Sequence, residues 1–484
     1  MKETSKCFPE RARRGDFERY LRGRGVDIGA ANDPLCVLDG RVLAWDLSNG
    51  DGMTLGGLLD GEFDFVYSSH CLEHISDVEY ALINWTRILR PGGILYIVVP
   101  DFDLYEKRHW PSRFNKDHTA TFSLSVTRSD VGSRCSHFNV YSDIIPFLRR
   151  YGVEILETRL EDYHYDYGFP PDCDQTLGIA SAQVCFIGRK MKRKGTAVFL
   201  RNCLGSGDHA NLLPAFRYLN NLGYDMLGYR INSLYDNVAI AEPHARADRI
   251  EIGVDFKHQI NIPATQLIVD IRQRIGVDMN GIVFPGICFN QSECELIAES
   301  RKRTYANIFP ATSIRQKTIA PTAVRAISEH LERVGLKVMS ARVPGKDDYP
   351  WEDLFKHFHP YRERSFDRRW LLDIAGASIN VCCDGGSLNA SLAAGAPTLG
   401  LMTIADSSLM TFYPKWQWRA VQSTFPCSPC FRPANYDVGV VVGCEHFDNY
   451  CGQHFSLDEI RQCIDELVQS SARTLSRSLA EANR

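Results

Sequence analysis

Residues 63–101, FDFVYSSHCLEHISDVEYALINWTRILRPGGILYIVVPD, constrain the fold more than any other stretch. Phe63–Ser69 is a short apolar run rich in β-formers and reads as a strand. Asp77–Arg90 carries apolar residues at helical spacing. Pro91-Gly92-Gly93 stops that helix, and Ile94–Val99 has the continuous apolar character of a buried strand. Polar residues gather just past the first strand, at Ser68, Ser69, His70, Glu73 and His74. In an open α/β sheet that edge is where ligands bind, so the chemistry of this segment is expected there.

The pattern repeats around it. Strands are expected at Gly25–Gly29, Arg41–Leu47, Phe63–Ser69, Ile94–Asp101, Val153–Leu160 and Gln183–Gly188, alternating with helices, which implies a mostly parallel sheet. The basic break GRKMKRKG at Gly188–Gly195 is followed by a fresh strand, Ala197–Arg201, and marks a domain boundary. Alternation then restarts with helix His209–Leu222, and again near residue 305 with strand Tyr305–Ala311. Helix Ala320–Val334, strands Leu336–Val343, Ser378–Cys383 and Pro397–Met402, and helices Ser387–Ala394 and Leu457–Ser470 complete the pattern. The expected domains are 1–190, 196–305 and 306–484, all α/β. Asp103–Ser136 is loop-rich and aromatic, as lids and substrate platforms often are.

At 484 residues the chain is long enough for roughly two to four domains. A net charge of −4 gives no ground for an extended nucleic-acid surface. The charged N-terminus lacks the apolar core of a secretory signal. No run of about 18 apolar residues occurs, so no membrane span is expected. The cysteines mostly lie scattered in strand-like or helical runs and read as reduced thiols of a cytoplasmic protein.

In the first domain, VDIGAANDP places Asp27 and Gly29 at a strand end, where the backbone can turn tightly against a nucleoside. Asp46 ends the next strand, 19 residues after Asp27, where an acid can accept a ribose diol. The series VDIG, WDLSNGD, FDFVYSSHCLEH and LRPGGILYIVVPD resembles the class I S-adenosylmethionine-dependent methyltransferases, over about residues 20–190. The resemblance implies a seven-stranded Rossmann-like sheet with S-adenosylmethionine at its C-terminal edge. Asp27 and Gly29 would lie by the methionine moiety, Asp46 would hold the ribose hydroxyls, and Asp51 would face the adenine amino group. Ser69 and His70 would line the sulfonium. Ala31 stands where the family commonly has glycine. Methyl transfer needs the acceptor held in line and its proton removed. His70, Glu73 and His74 are candidates for the base, with His137 and His109 behind them; Glu73 and His74 can equally cap the following helix. His70 and His74 also have the i, i+4 spacing of a metal pair, but the family context explains both without a metal.

In the second half, RNCLGSGDHANLLPAF joins a strand, a Gly-x-Gly loop and a helix that Asp208 can cap. VCCDGGSLNASLAAGAPTLGLM joins a strand to a helix through Asp384, Gly385, Gly386 and Ser387. A glycine loop opening a helix offers free N–H groups and a positive dipole end, suited to a diphosphate. Together these resemble the heptosyltransferase-like glycosyltransferases of the GT-B arrangement, over about residues 196–470. The resemblance implies that Asp208 deprotonates the acceptor hydroxyl. It implies that Asp384, Gly385, Gly386, Ser387 and Asn389 form the sugar-nucleotide loop, with Gly385 and Asn389 replacing the usual Thr and His. Lys317, or Arg315, would meet the donor phosphates.

Cys427, Cys430, Cys444 and Cys451 have spacings that fit a tetrahedral thiolate site for zinc or iron, with His446 as a substitute ligand. Some protein-modifying heptosyltransferase relatives carry a similar four-cysteine iron finger. The expected function is that of a bifunctional glycan-tailoring enzyme. It would transfer a methyl group from S-adenosylmethionine to a carbohydrate hydroxyl, and a heptose-like unit from a nucleotide sugar to a glycan or glycoconjugate. The alternatives are a protein-modifying heptosyltransferase with an appended cofactor domain, or one active half. Assembly into a homo-oligomer is compatible with either.

Overall fold

The computed structural model describes residues 3–482 except 39, 133–135, 202–205, 229–232, 242–247, 254–262, 313, 341–366, 407–411, 431–433, 436–439, 442 and 447. The chain divides into two compact units, essentially residues 1–195 and 196–480.

The first unit is built on strands β1 (Gly23–Ile28), β2 (Gly40–Trp45), β3 (Phe63–Ser69), β4 (Leu89–Pro100), β5 (Ala120–Ser123), β6 (Ser136–Asn139), β7 (Val153–Glu161) and β8 (Gln183–Lys190). Its main sheet has the order β2-β1-β3-β4-β8-β7, six strands among the described residues rather than the seven implied. The first four are parallel, and β8 runs antiparallel to both β4 and β7. Side chains alternate between two cores. On β4, Leu95, Ile97 and Val99 join Trp85 on one face, whereas Tyr96 and Val98 join Phe65 and Tyr67 on the other.

The helix between β3 and β4 is Val78–Arg87. Asp77 caps it, its Oδ1 accepting the Tyr80 N–H at 2.9 Å. Glu73 and His74, also candidates for that cap, lie in a separate short turn, Leu72–His74. The helix stops three residues before the expected Arg90, because Leu89 already pairs with Phe63. Pro91-Gly92-Gly93 then forms an irregularity in β4, with Gly92 at φ +83°.

The N-terminal residues form helix Glu3–Arg13, which the sequence reading did not anticipate. Polar contacts hold it. Lys6 Nζ donates to the carbonyls of Thr176 and Ala180 at 3.0 and 2.9 Å, and the buried Arg11 lies 3.4 Å from Glu161.

The second unit holds two all-parallel sheets. One has the order β10-β9-β11, from β9 (Ala197–Arg201), β10 (Asp225–Leu227) and β11 (Arg249–Gly253). The other comprises β12 (Tyr305–Phe309), β13 (Lys337–Ser340), β14 (Ile379–Cys383), β15 (Thr398–Met402) and β16 (Trp418–Gln422), ordered β13-β12-β14-β15-β16. The expected helices appear as Ser206–Asn221, Pro321–Arg333, Gly386–Ala393 and Leu457–Ala482. Among the described residues no helix is long and apolar enough to cross a membrane.

Candidate functional sites at two topological switch points

In the first sheet the strand order reverses between β1 and β3, and a crevice opens where such a reversal occurs. Gly29 follows β1 at φ +79°. A Cβ there would sit 2.5 Å from Cys71 Cβ, so only glycine lets the turns after β1 and β3 approach this closely. Ala31 also takes a positive φ of +43°, a conformation in which its methyl group is costly.

Asp27 is buried near the end of β1, its Oδ2 accepting the Leu35 N–H at 2.7 Å. Burial pushes its carboxyl up to about 7. Asp46 follows β2; its Oδ1 accepts the Leu47 N–H at 2.8 Å, leaving Oδ2 for a hydroxyl. Asp51 is exposed in the next turn and accepts the Met53 N–H at 2.8 Å. Ser69 ends β3, and His70 follows it at φ +56°.

His70 Nε2 lies 2.8 Å from Gln183 Oε1. The Gln183 amide nitrogen donates to Glu161 Oε2 at 2.6 Å, so its oxygen faces the imidazole. That network puts the proton on His70 Nε2 and leaves Nδ1 bare. Burial pushes the imidazolium down to about 3, so His70 is neutral at physiological pH. His74 is half-buried, with Nδ1 3.2 Å from the Asp117 carbonyl. Glu73 is 1% exposed, and neither of its carboxylate oxygens has a hydrogen-bond partner. His137 uses both nitrogens structurally, toward Thr121 Oγ1 at 2.8 Å and the Val126 carbonyl at 3.0 Å. That removes it as a base.

A cleft of about 680 Å³ is lined by Phe102, Arg108, His109, Trp110, Ser125 and Asp130, among others. Phe102 lies two residues beyond the end of β4, on the same sheet edge as Gly29, Asp46 and His70. His109 therefore belongs to this cleft. The residues at this edge fit S-adenosylmethionine: a glycine turn, an acid with an open oxygen after β2, and a neutral imidazole after β3.

In the five-stranded sheet the order reverses between β12 and β14. Lys317 follows β12, Asp384 follows β14, and they meet at 3.5 Å, both nearly buried. Arg315 instead is exposed, 3.8 Å from Asp448, so of these two cations Lys317 is the one beside Asp384. Gly385 packs on the loop after β12; a Cβ there would meet Thr312 Cγ2 at 2.7 Å. Helix Gly386–Ala393 has no side-chain cap, which leaves its first N–H groups for an anion. Ser387 stands in its first turn, and Asn389 keeps a buried Oδ1 without a partner. These groups fit a nucleoside diphosphate.

The backbone of Asp208 lies in helix Ser206–Asn221, but its side chain and the loop 202–205 lie outside the described residues. Gly207 nevertheless touches the second loop: a Cβ on it would lie 2.5 Å from Gly386 Cα.

Cys430, Cys444 and Cys451 share an apolar cluster with Ile314, Ile404 and Phe425. Burial, with Cys430, Cys427 and Cys444 nearby, pushes the Cys451 thiol up to about 12. Cys427, Cys430 and Cys444 are thus near enough to Cys451 to act on its charge. Among the described residues, the group of three or more ligand atoms that lie within 4.8 Å of one another is Glu73, His74 and His118. His446 packs on Phe425, ring centroids 4.9 Å apart.

Residues 17–97 match the model of a family described as methyltransferase domain. No curated protein matches the chain significantly. Among solved structures, the iron-containing dodecameric glycosyltransferase TibC from enterotoxigenic Escherichia coli is similar at 15% identity, with a TM-score of 0.39, over 60% of this chain and 78% of that one. The E. coli ADP-heptose lipopolysaccharide heptosyltransferase II is similar at 10% identity and a TM-score of 0.40, over 57% of this chain and 99% of its own. An S-adenosylmethionine-dependent methyltransferase from Listeria monocytogenes, named as putative in its description, is similar at 12% identity and a TM-score of 0.25, over 40% and 99%. The residues that match the methyltransferase domain lie in the first unit.

Proposed function

We propose that this chain is a cytoplasmic glycan-tailoring enzyme with two transfer activities. The first unit methylates a carbohydrate hydroxyl. Asp27, Gly29, Asp46, Asp51, Ser69 and His70 would hold S-adenosylmethionine, which supplies an electrophilic methyl group when bound. The observation that carries the acceptor class is the cleft at Phe102 and Trp110. Aromatic faces beside Arg108, His109, Ser125 and Asp130 offer the stacking surface and hydrogen-bonding groups that a sugar ring needs.

The second unit would transfer a heptose-like unit from a nucleotide sugar to a glycan. Lys317 and the helix start at Gly386 would neutralise the departing diphosphate. Asp208 would take the acceptor proton. The four cysteines would hold one structural zinc or iron ion.

The test is acceptor profiling with methyl-labelled S-adenosylmethionine against glycans, proteins and RNA. Label should enter a glycan, and Trp110→Ala should raise the acceptor KM while leaving S-adenosylmethionine binding in place. Label found solely in protein or RNA would overturn the acceptor class. Absence of S-adenosylmethionine binding by calorimetry would overturn the first unit's role.

A further inference from the structure

Three groups that can accept hydrogen bonds converge in the first unit, with one ligand atom from each within 4.8 Å of the others. Glu73 brings a buried carboxylate whose two oxygens have no hydrogen-bond partner. His118 is buried, and its Nδ1 lies 2.7 Å from Glu106 Oε1. A carboxylate accepts there, so Nδ1 carries the proton, and in the neutral imidazole Nε2 is left bare. The Nδ1 of His74 likewise faces a carbonyl oxygen, that of Asp117, which leaves its Nε2 bare, 3.8 Å from Glu73 Oε1. The His74 and His118 rings meet edge to face, centroids 4.9 Å apart. A third bare imidazole nitrogen, His70 Nδ1, lies 3.7 Å from the same Glu73 oxygen.

Separations of 3.7–3.8 Å are too long for hydrogen bonds. A proton on Glu73 could serve one of these nitrogens and would leave the others facing an acceptor. What satisfies all of them at once is a cation.

We propose that Glu73, His74 and His118 bind one divalent first-row transition-metal ion. Two imidazoles and one carboxylate suit such an ion and leave coordination positions open for oxygen ligands. The outer contacts are already built: Glu106 orients His118, and the Asp117 carbonyl orients His74, the arrangement that fixes tautomer and ring direction around metals. The two ligand segments are clamped together. Thr119, next to His118, donates its N–H to the Glu73 carbonyl at 2.7 Å and its hydroxyl to the Glu73 and Ile75 carbonyls at 3.1 and 3.0 Å. The His74 side chain, 35% exposed, gives the ion a route from solvent. The open positions would take an oxygen of the acceptor or of water. That last assignment rests on the methyl-transfer reading, whereas binding of the ion does not.

The experiment is cobalt(II) titration of the full chain after chelator treatment, read by absorption. Thiolate-bound cobalt gives an intense near-ultraviolet charge-transfer band, so the four cysteines report separately. We expect one equivalent of cobalt showing only weak visible bands. His74→Ala and His118→Ala should weaken it at least about 100-fold, and Glu106→Gln by about tenfold or more. If His118→Ala misfolds by circular dichroism, the partly exposed His74→Ala carries the test. Wild-type protein that takes up cobalt only with the thiolate band, or variants that bind it undiminished, would overturn the site. S-adenosylmethionine titration of the same samples separates the two readings. Cobalt bound without S-adenosylmethionine would sink the methyltransferase assignment and leave the metal site standing.

Discussion

Gln183 Oε1 sits 2.8 Å from His70 Nε2 while the other end of the same amide donates to Glu161 at 2.6 Å. One side chain thereby couples the base candidate after β3 to the buried ion pairs that hold the N-terminal helix. Gln183→Leu strands the His70 N–H and removes a donor from Glu161. Each buried unsatisfied group costs about 1–3 kcal/mol, so urea denaturation should show a loss of that order. A variant as stable as the wild type would disprove the coupling.

Gly29→Val places a branched side chain at φ +79°, where Cys71 already occupies the space. The turn must open, and S-adenosylmethionine affinity by calorimetry should fall by more than about tenfold, the equivalent of 1.4 kcal/mol. Unchanged affinity would move the cofactor away from this turn.

Asp27 gives a pH signature. Its carboxyl titrates at about 7 in the fold, against an ordinary 3.8. Between those values the folded chain keeps a proton that the unfolded chain has lost, so its stability falls as pH rises. The slope is at most about 1.4 kcal/mol per pH unit for one such group. Above pH 7 the loss is complete. Asp27→Asn keeps an oxygen for the Leu35 N–H and has no charge to bury. It should match the wild type near pH 4 and exceed it near pH 8 in denaturation midpoints. Parallel pH profiles would show that burial does not raise this carboxyl.

Lys317→Met removes the cation from the crevice after β12 and strands Asp384 beside the diphosphate position. Nucleoside diphosphate-sugar binding should drop by at least about tenfold, with a weaker dependence on salt. Arg315→Met, at the exposed neighbour, should have little effect. Equal losses would mean that Lys317 holds no special place.

Cys427→Ser should lower the zinc or iron content of the purified protein, measured by elemental analysis. Metal content equal to the wild type would remove the thiolate site.

Much of the fold was legible because it rests on periodicity and punctuation. Each expected strand of the first sheet appears within a few residues of its place; for β3 and β4 this is because buried parallel strands are continuous apolar runs. The helix Glu3–Arg13 was not legible. Its packing depends on Lys6 reaching carbonyls near residue 180 and Arg11 reaching Glu161, and charged residues carry no periodic apolar signal. His118 was missed for a related reason. It lies 44 residues beyond His74 in a loop-rich insert, and tertiary contacts such as the Thr119–Glu73 and His74–Asp117 hydrogen bonds bring the two segments together. The choice between Lys317 and Arg315 likewise needed the short turn that buries one and exposes the other.

Gly207 and Gly386 touch with no room for a methyl group between them. The two motif loops of the second unit therefore cannot diversify independently. A side chain acquired at Gly207 must displace Gly386, so the first loop can gain one there only if the second shifts with it.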